Sequence, residues 1–158
     1  MPTNVSPLVH IEIVVRDVNA AAAFLERVFG AQRTEQDIVR FLNEISLGLT
    51  KVEHVQLGNV VLQFIEPLPE GGDVWAEHLR NKGPGVHNLT FQVDNVLKTA
   101  SILEKEGAPT LFTLPLDWEK LLGPDNVREN VPPVHMVGSE EIVGFRLELY
   151  ENPSKGLE

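Results

Sequence analysis

The sequence predicts an α+β fold in which two βαβββ modules, related by pseudo-twofold symmetry, form a cupped mixed sheet. The first observation is an internal repeat, because the segment from Val9 to Val18 returns, blurred, from His87 to Val96. The second observation is that a helix-like segment follows each copy and ends at a glycine-alanine pair. These pairs are Gly30-Ala31 and Gly107-Ala108. A repeat whose unit is a strand, a helix and further strands indicates two similar packed modules.

Module one covers about residues 8–67. Its first strand, near 8–16, shows alternating apolar and polar side chains. Asp17 occupies the N-cap position of a helix that runs to about Phe29, where Gly30 ends it. The predicted buried stripe of this helix is Val18, Phe24, Leu25 and Val28. Three strands follow, near 32–41, 50–57 and 60–66, with a tight turn at Gly58-Asn59.

Module two covers about residues 86–152 and follows a linker helix near 73–82, so that the 158 residues form a single domain. We predict a strand at 86–93, a helix at about 95–106 and strands near 108–113, 133–138 and 143–150. The long segment 114–133 contains helical turns at 117–122. Loops of this length are usually lids or binding loops.

Composition limits the classes of function. The formal net charge is −10, which argues against nucleic acid as a partner because phosphate backbones need a concentrated positive surface. The absence of cysteine excludes disulfides, thiolate metal ligands and thiol nucleophiles. The first residues carry neither a basic segment nor a long apolar run. We therefore expect no signal peptide, no membrane partner and a cytoplasmic protein.

Strand alternation assigns the side chains to two faces of the predicted sheet. In each module the aliphatic face packs on that module's helix, and the other face lines the concave side. Polar residues on this inner face form two repeat-related pairs, His10 with Asn88 and Gln63 with Glu148. We expect the four side chains to converge if the modules pair as the repeat indicates.

The order of these motifs resembles the vicinal oxygen chelate superfamily, which includes glyoxalase I, methylmalonyl-CoA epimerase, fosfomycin-resistance enzymes and extradiol dioxygenases. The resemblance spans roughly residues 8–152 and is nearest to the epimerase and glyoxalase branch. It rests on the βαβββ repeat and on the segments VHIEIVVRDV at 9–18, LQFIEPL at 62–68, GVHNLTFQVD at 85–94 and LEL at 147–149.

The resemblance implies one divalent metal ion, held by the first and last strands of each module. Carried over, the ligands are His10, Gln63, Asn88 and Glu148. Imidazole, amide and carboxylate donors suit Mn, Co, Ni, Zn or Fe, and such an ion stabilises an enolate as a Lewis acid. Family members similar to the epimerase carry histidine where this chain has Asn88, with His87 one place earlier. Alternation turns His87 toward the helix layer unless a bulge re-aims it.

Three residues are candidates for proton transfer. Glu53 is favoured by local similarity to the epimerases and His54 by strand alternation, while His135 in module two is a third candidate. The predicted substrate-binding residues are Trp118, from the long loop, with Gln92 and Tyr150 from the inner face.

These observations predict a metal-dependent isomerase, epimerase or lyase that acts on a small carbonyl or acyl-thioester substrate through an enolate. One alternative is a metal-free protein of the same fold that binds or sequesters a small molecule. A weaker alternative is a ferrous ring-cleaving dioxygenase, which needs His87 to turn inward. The resemblance also implies a homodimer.

Overall fold

The structure is a computed structural model that describes residues 2–34 and 50–155 of the chain. The chain divides into two compact units. We call His10–Asn88 the N-terminal unit, and Met1–Val9 together with Leu89–Glu158 the C-terminal unit. Across the described residues, eight strands and five α-helices confirm the α+β class. The linker helix belongs to the same unit as module one.

The N-terminal unit contains the elements predicted for module one. In chain order these are β1 (His10–Val14), α1 (Val18–Phe29), β2 (Gln32–Arg33), β3 (Thr50–Leu57), β4 (Val60–Pro67), α2 (Val74–Lys82) and the start of β5 (Gly85–Gln92). The strand order in this unit is β2-β3-β4-β1-β5. β1 is parallel to β4, whereas β3 is antiparallel to both β2 and β4. Most of the strand predicted near 32–41 lies outside the described residues.

Helix α1 packs on one face of this sheet and forms the core of the unit. Asp17 caps it by accepting a hydrogen bond from the backbone N–H of Ala20 at 2.8 Å, and Gly30 ends it with a left-handed φ of 65°. The predicted buried stripe is wrong at two positions, since Phe24 and Val28 are 53% and 54% exposed and Ala22 is buried instead. The small alanine side chain lets the helix approach the sheet closely.

The C-terminal unit contains the elements predicted for module two. After the rest of β5 come α3 (Val96–Lys105), β6 (Thr110–Leu114), α4 (Trp118–Leu122), a 3₁₀ turn (Pro124–Asn126), β7 (Val134–Val137), α5 (Glu140–Val143) and β8 (Arg146–Tyr150). The strand order is β5-β8-β7-β6. β8 begins three residues later than predicted, because α5 ends at Val143 and Gly144 turns the chain with φ 86°.

The two units repeat the same backbone hydrogen bonds at the positions that the sequence repeat aligns. Val15 N–H donates to the Ile65 carbonyl in one unit, and Val93 N–H donates to the Tyr150 carbonyl in the other, both at 2.9 Å. The first N–H of each helix also donates to a glutamate at the end of the closing strand or just after it. These pairs are Val18 with Glu66 and Val96 with Glu151, each at 2.8 Å. The repeat is therefore confirmed as a structural duplication.

The N-terminal segment adds backbone pairing to the C-terminal unit. Val5 forms an antiparallel bridge with Val93, and Val9 N–H donates to the Thr90 carbonyl at 2.9 Å. Among residues 2–34 and 50–155, no helix is both long enough and apolar enough to cross a membrane.

Candidate functional site

Polar side chains from three adjacent strands form a row within the N-terminal unit. His54 on β3 lies directly opposite Gln63 on β4, and Gln63 is in register with Glu12 on β1. Residues paired across neighbouring strands point to the same face of a sheet, so the three side chains share one face. All three are buried. The face opposite to the α1 core therefore carries a polar interior, which needs a chemical explanation.

His54 and Gln63 form a direct hydrogen bond. The Gln63 amide nitrogen donates to Nε2 of His54 at 2.8 Å, which leaves the proton of the neutral ring on Nδ1. Burial, together with the nearby His10, lowers the pKa of His54 to about 4. Because the amide nitrogen of Gln63 is committed to His54, its carbonyl oxygen is turned to the other side of the amide.

His10 stands beside this pair. Its ring centroid is 5.6 Å from that of His54, and burial lowers the pKa of His10, an effect that the negative charge of Glu12 opposes. The imidazole is therefore held neutral near pH 7, which is the state that coordinates metal ions.

Glu12 lies at the centre of a second network in the same unit. Its Oε1 accepts hydrogen bonds from the Trp75 indole N–H at 2.5 Å, from His87 Nδ1 at 2.9 Å and from the Asn88 amide at 2.7 Å. Trp75 comes from α2, so the carboxylate ties the linker helix to β1 and β5. The Glu12 residue is only 2% exposed.

His87 and Asn88 reach the same carboxylate oxygen, although they are neighbours on one strand. Strict alternation predicts that their side chains diverge, but both are buried and their side-chain nitrogens are 3.1 Å apart. Both side chains contact Oε1 of Glu12, at 2.9 Å from His87 and 2.7 Å from Asn88. His87 is thus a hydrogen-bonded buried histidine that also packs against Trp75 and His78 of α2.

Glu53 lies on the other face of β3. Its Cα partner is Phe64, a member of the α1 core, and its carboxylate is 4.0 Å from the Arg33 guanidinium. Of the two residues predicted for proton transfer in this strand, only His54 shares a face with Gln63.

In the C-terminal unit, Glu148 accepts a hydrogen bond from the Thr90 hydroxyl at 3.3 Å. Tyr150 stacks on Trp118 with a centroid distance of 6.0 Å and an interplanar angle of 28°. Burial raises the pKa of Tyr150, and the charge of Glu148 raises it further. The structure thus brings together two of the three residues predicted to bind substrate.

Two other predicted residues of this unit have local roles in the structure. The backbone of Gln92 pairs with Ser6 in both directions, since Ser6 N–H donates to its carbonyl and Gln92 N–H donates to the Ser6 hydroxyl, each at 2.9 Å. His135 is buried and donates from Nδ1 to the Pro133 carbonyl at 2.9 Å. Neither contact bears on proton transfer or substrate binding.

The donor chemistry of the N-terminal unit fits a divalent ion. A neutral imidazole at His10 and an oriented amide at Gln63 are N and O donors of the type that transition metals accept. Within residues 2–34 and 50–155, no three His, Asp or Glu side chains are grouped closely enough to hold an ion by themselves. Other donors, such as amide oxygens, would therefore have to complete a site among these residues, and the predicted set of His10, Gln63, Asn88 and Glu148 stays a prediction.

The sequence patterns assign no role to Glu12 and do not identify Trp75 as its partner. A signal was present. Glu12 stands between Ile11 and Ile13 on a central strand, and a carboxylate buried there is costly unless it is hydrogen-bonded. The partner on α2 could not be found in this way, because no periodicity links a linker helix to a strand some 60 residues earlier.

Comparisons with known proteins agree with this architecture. Residues 9–115 match the sequence profile of the glyoxalase/bleomycin resistance protein/dioxygenase superfamily. The mitochondrial methylmalonyl-CoA epimerase of Homo sapiens is 29% identical over 128 residues, which cover 72% of this chain and 69% of that protein. An ethylmalonyl-CoA/methylmalonyl-CoA epimerase of Cereibacter sphaeroides is 29% identical over 103 residues, which cover 65% of this chain and 72% of that protein.

Among solved structures, a variant of the methylmalonyl-CoA epimerase of Streptomyces coelicolor, in complex with 2-nitronate-propionyl-CoA, has the same fold. Its TM-score is 0.61 at 16% identity, with 94% of this chain and 99% of that chain covered. Because the matched segment 9–115 spans well over half of the sequence, the chain belongs to the glyoxalase/bleomycin resistance/dioxygenase superfamily, whose fold is the vicinal oxygen chelate fold.

Proposed function

We propose that the protein is a divalent-metal-dependent epimerase that exchanges the proton alpha to the carbonyl of an acyl-CoA thioester. The observation that carries the proposal is the buried, neutral cluster of His10, His54 and Gln63 on one sheet face. The names of the relatives support the substrate class, since they are epimerases of methylmalonyl-CoA or ethylmalonyl-CoA. The ligand of the Streptomyces coelicolor epimerase, a nitronate of propionyl-CoA, is an anion of the same shape as an enolate.

In this proposal His10 and Gln63 would hold the ion, and Asn88 and Glu148 are the candidates for further ligands that the family resemblance implies. When bound, the ion supplies a Lewis acid that stabilises the enolate. His54 fixes the Gln63 amide so that its carbonyl oxygen remains available. With a pKa near 4, His54 is neutral but weakly basic at pH 7, so positioning Gln63 is its primary role. Proton transfer by His54 or Glu53 stays a prediction.

Deuterium exchange tests the proposal. The metal-loaded protein is incubated with methylmalonyl-CoA or ethylmalonyl-CoA in D₂O, and deuterium at the alpha carbon is followed by mass spectrometry. We expect exchange that a chelator abolishes and added Mn or Co restores. Gln63→Ala should reduce the rate by at least about tenfold, as loss of a metal ligand or its support does. Gln56→Ala, which removes an amide that donates to the Gly58 carbonyl at 2.7 Å, is the matched control. Absence of exchange with both thioesters overturns the proposal.

Asn88→His tests whether position 88 contacts the ion. Imidazole binds transition metals more tightly than an amide does, so we expect tighter binding of Co or Zn in calorimetric titrations. An affinity equal to that of the unmodified protein counts against direct ligation by Asn88.

A second candidate, metal-free binding of a small aromatic molecule, is favoured by one observation in the C-terminal unit. Trp118 is stacked on Tyr150, and within the described part of the chain its buried indole N–H has no hydrogen-bond partner. Ligand-induced quenching of tryptophan fluorescence that a chelator does not change supports this candidate. The ring-cleaving alternative is not favoured, because it needs His87 as a ligand and His87 instead contacts Glu12.

A further inference from the structure

Glu12 is a buried carboxylate that the proposed mechanism does not yet use. We propose that Glu12 is a carboxylate ligand of the divalent ion, beside His10 and Gln63, and that it replaces the imidazole that epimerase-like members of the family carry at the position of Asn88. This inference rests on the proposed metal-dependent function. On β1 the neighbours Ile11 and Ile13 are aliphatic, and the hydrogen bonds from Trp75, His87 and Asn88 engage only Oε1 of Glu12 among the described residues.

Strand geometry puts Glu12 within reach of the other two donors. His10 and Glu12 are two residues apart on β1, so both point to the same face, and their Cα atoms are about 6.6 Å apart. Gln63 on the parallel strand β4 is the register partner of Glu12. The two residues that flank Glu12 on this face thus offer an imidazole nitrogen and an amide oxygen.

The hydrogen bonds of Glu12 orient its carboxylate in the manner of a metal ligand. The N–H groups of Trp75, His87 and Asn88 all donate to Oε1. Over residues 2–34 and 50–155, every hydrogen bond of Glu12 ends on this oxygen, which leaves Oε2 as the oxygen available to an ion. Ligating carboxylates are typically held by such outer hydrogen bonds, which fix the rotamer and conserve the geometry.

The negative charge of Glu12 also favours a bound cation at this position. A carboxylate that is only 2% exposed is costly to bury, and the ion pair that the structure shows for it is with His87, whose Nδ1 lies 2.9 Å from Oε1 and which is charged only when protonated. A divalent cation next to His10 would neutralise this charge. Asn88 then has a definite task, since its amide nitrogen helps to hold Oε1 at 2.7 Å. The histidine lost at position 88 is compensated by a carboxylate on the neighbouring strand.

Cobalt titration of the full-length protein tests the inference without a catalytic readout. Co(II) is added to wild type, Glu12→Gln and the surface control Glu70→Gln, and affinity is followed by calorimetry and by visible absorption. We expect Glu12→Gln to weaken binding on the order of 10- to 100-fold or more and to change the absorption spectrum, because a charged ligand is lost. Equal affinity and an equal spectrum in Glu12→Gln and Glu70→Gln overturn the inference. Circular dichroism confirms that each variant is folded.

A second measurement keeps Glu12 intact. The chain has two tryptophans, so Trp118→Phe leaves Trp75, whose indole N–H contacts Glu12, as the single emitter. Paramagnetic Co(II) or Mn(II) bound at Glu12 should quench this emission with the same affinity that calorimetry gives. Metal binding without quenching, or no metal binding at all, overturns the inference.

Deuterium exchange by the wild type separates this inference from the proposed function. Exchange by a wild-type protein whose metal affinity is insensitive to Glu12→Gln refutes the role of Glu12 alone. Metal binding that depends on Glu12 but supports no exchange refutes the epimerase assignment alone.

Discussion

His54 is the residue whose charge state depends most clearly on its surroundings. The ring is buried between His10 and Gln63, and its pKa in the folded protein, about 4, lies below the ordinary value of 6.5. Between these two pH values the unfolded chain binds a proton that the folded protein does not. Stability that is complete above pH 6.5 is therefore lost as the pH falls toward 4.

The first prediction concerns this loss of stability. In chelator, the free energy of unfolding of the wild type should fall by about 2 kcal/mol between pH 7.5 and pH 5 on account of His54. His54→Gln, which cannot titrate, should show a fall that is smaller by that amount. Urea denaturation at the two pH values measures both. A fall as large in the variant as in the wild type contradicts the low pKa.

The second prediction uses Tyr150, which is the only tyrosine of the sequence. Its pKa is raised above 10 by burial and by the charge of Glu148, so the absorbance of tyrosinate at 295 nm should appear only above pH 10. Glu148→Gln removes the negative charge and should lower the midpoint, whereas Glu104→Gln on the exposed side of α3 should not. An unchanged midpoint in Glu148→Gln argues against their proximity.

For single residues, the sequence predicts the sheet face on which a side chain lies better than it predicts the hydrogen-bond partners of that side chain. Alternation and the repeat identify His10, Gln63 and His54 as inner-face residues, and the structure brings these three together. The role of Glu12 could not be predicted, because its hydrogen bonds come from α2 and β5, and the orientation of a linker helix is set by tertiary packing. Alternation also separates His87 from Asn88, whereas one long carboxylate side chain contacts both.

The helices show how each module fixes its own first turn. In α1 the N-cap is Asp17, and Glu66 at the end of β4 accepts from Val18 N–H. In α3 the N-cap is Asn95, and Glu151 just after β8 accepts from Val96 N–H. A carboxylate at a helix N-terminus satisfies an N–H group that would otherwise be unpaired and interacts favourably with the helix dipole.

The third prediction follows from these contacts. Glu66→Ala and Glu151→Ala should each lower the free energy of unfolding by about 1–2 kcal/mol, because a buried backbone N–H loses its acceptor. Glu104→Ala, on the exposed surface of α3, is the matched control and should have little effect. Denaturant unfolding measures all three variants. If Glu66→Ala changes the free energy of unfolding no more than the control does, the hydrogen bond from Val18 to Glu66 does not stabilise the helix.

Element boundaries were predicted where local signals exist. The cap at Asp17 and the stop at Gly30 are encoded in short-range hydrogen bonds, and the structure has both. The predicted start of β8 is three residues too early, because the apolar residues Ile142 and Val143 fit a strand as well as the short helix α5. The buried stripe of α1 was partly wrong because alanines carry little hydrophobic signal but pack most closely.

For the molecule as a whole, exposed apolar side chains on α1 bear on its state of assembly. Phe24, Val28 and Phe29 are all more than half exposed. Covering such side chains with a second copy of the chain removes apolar surface from water and is favourable. This supports the homodimer that the family resemblance implies.

The fourth prediction is the mass in solution. Sedimentation equilibrium should give twice the chain mass of 17.6 kDa at micromolar concentrations. Since apolar burial is insensitive to salt, we expect the same mass at high ionic strength. A single species of 17.6 kDa at every concentration refutes the homodimer.

The fold class is the most predictable property, because both copies of the repeat indicate the same order of strands and helix. Residues aligned by the repeat occupy equivalent places in the two cores, for example Val18 with Val96 and Phe64 with Leu149. Both members of each pair are apolar because each fills an equivalent position beneath a helix. The polar positions have no such constraint, which is why His10 and Gln63 are not copied as such in module two.

The matching hydrogen bonds between Glu66 and the start of α1 and between Glu151 and the start of α3 have a consequence for protein engineering. Because each module holds the first turn of its helix with hydrogen bonds between its own residues, we expect substitutions on the inner face to leave these helix starts intact. A gene encoding two tandem copies of module one would keep the hydrogen bond between the first helix N–H and the glutamate in each copy. It would also contain His10, Glu12 and Gln63 twice. Comparing such a duplicate with the natural protein would show which properties depend on the differences between the two modules.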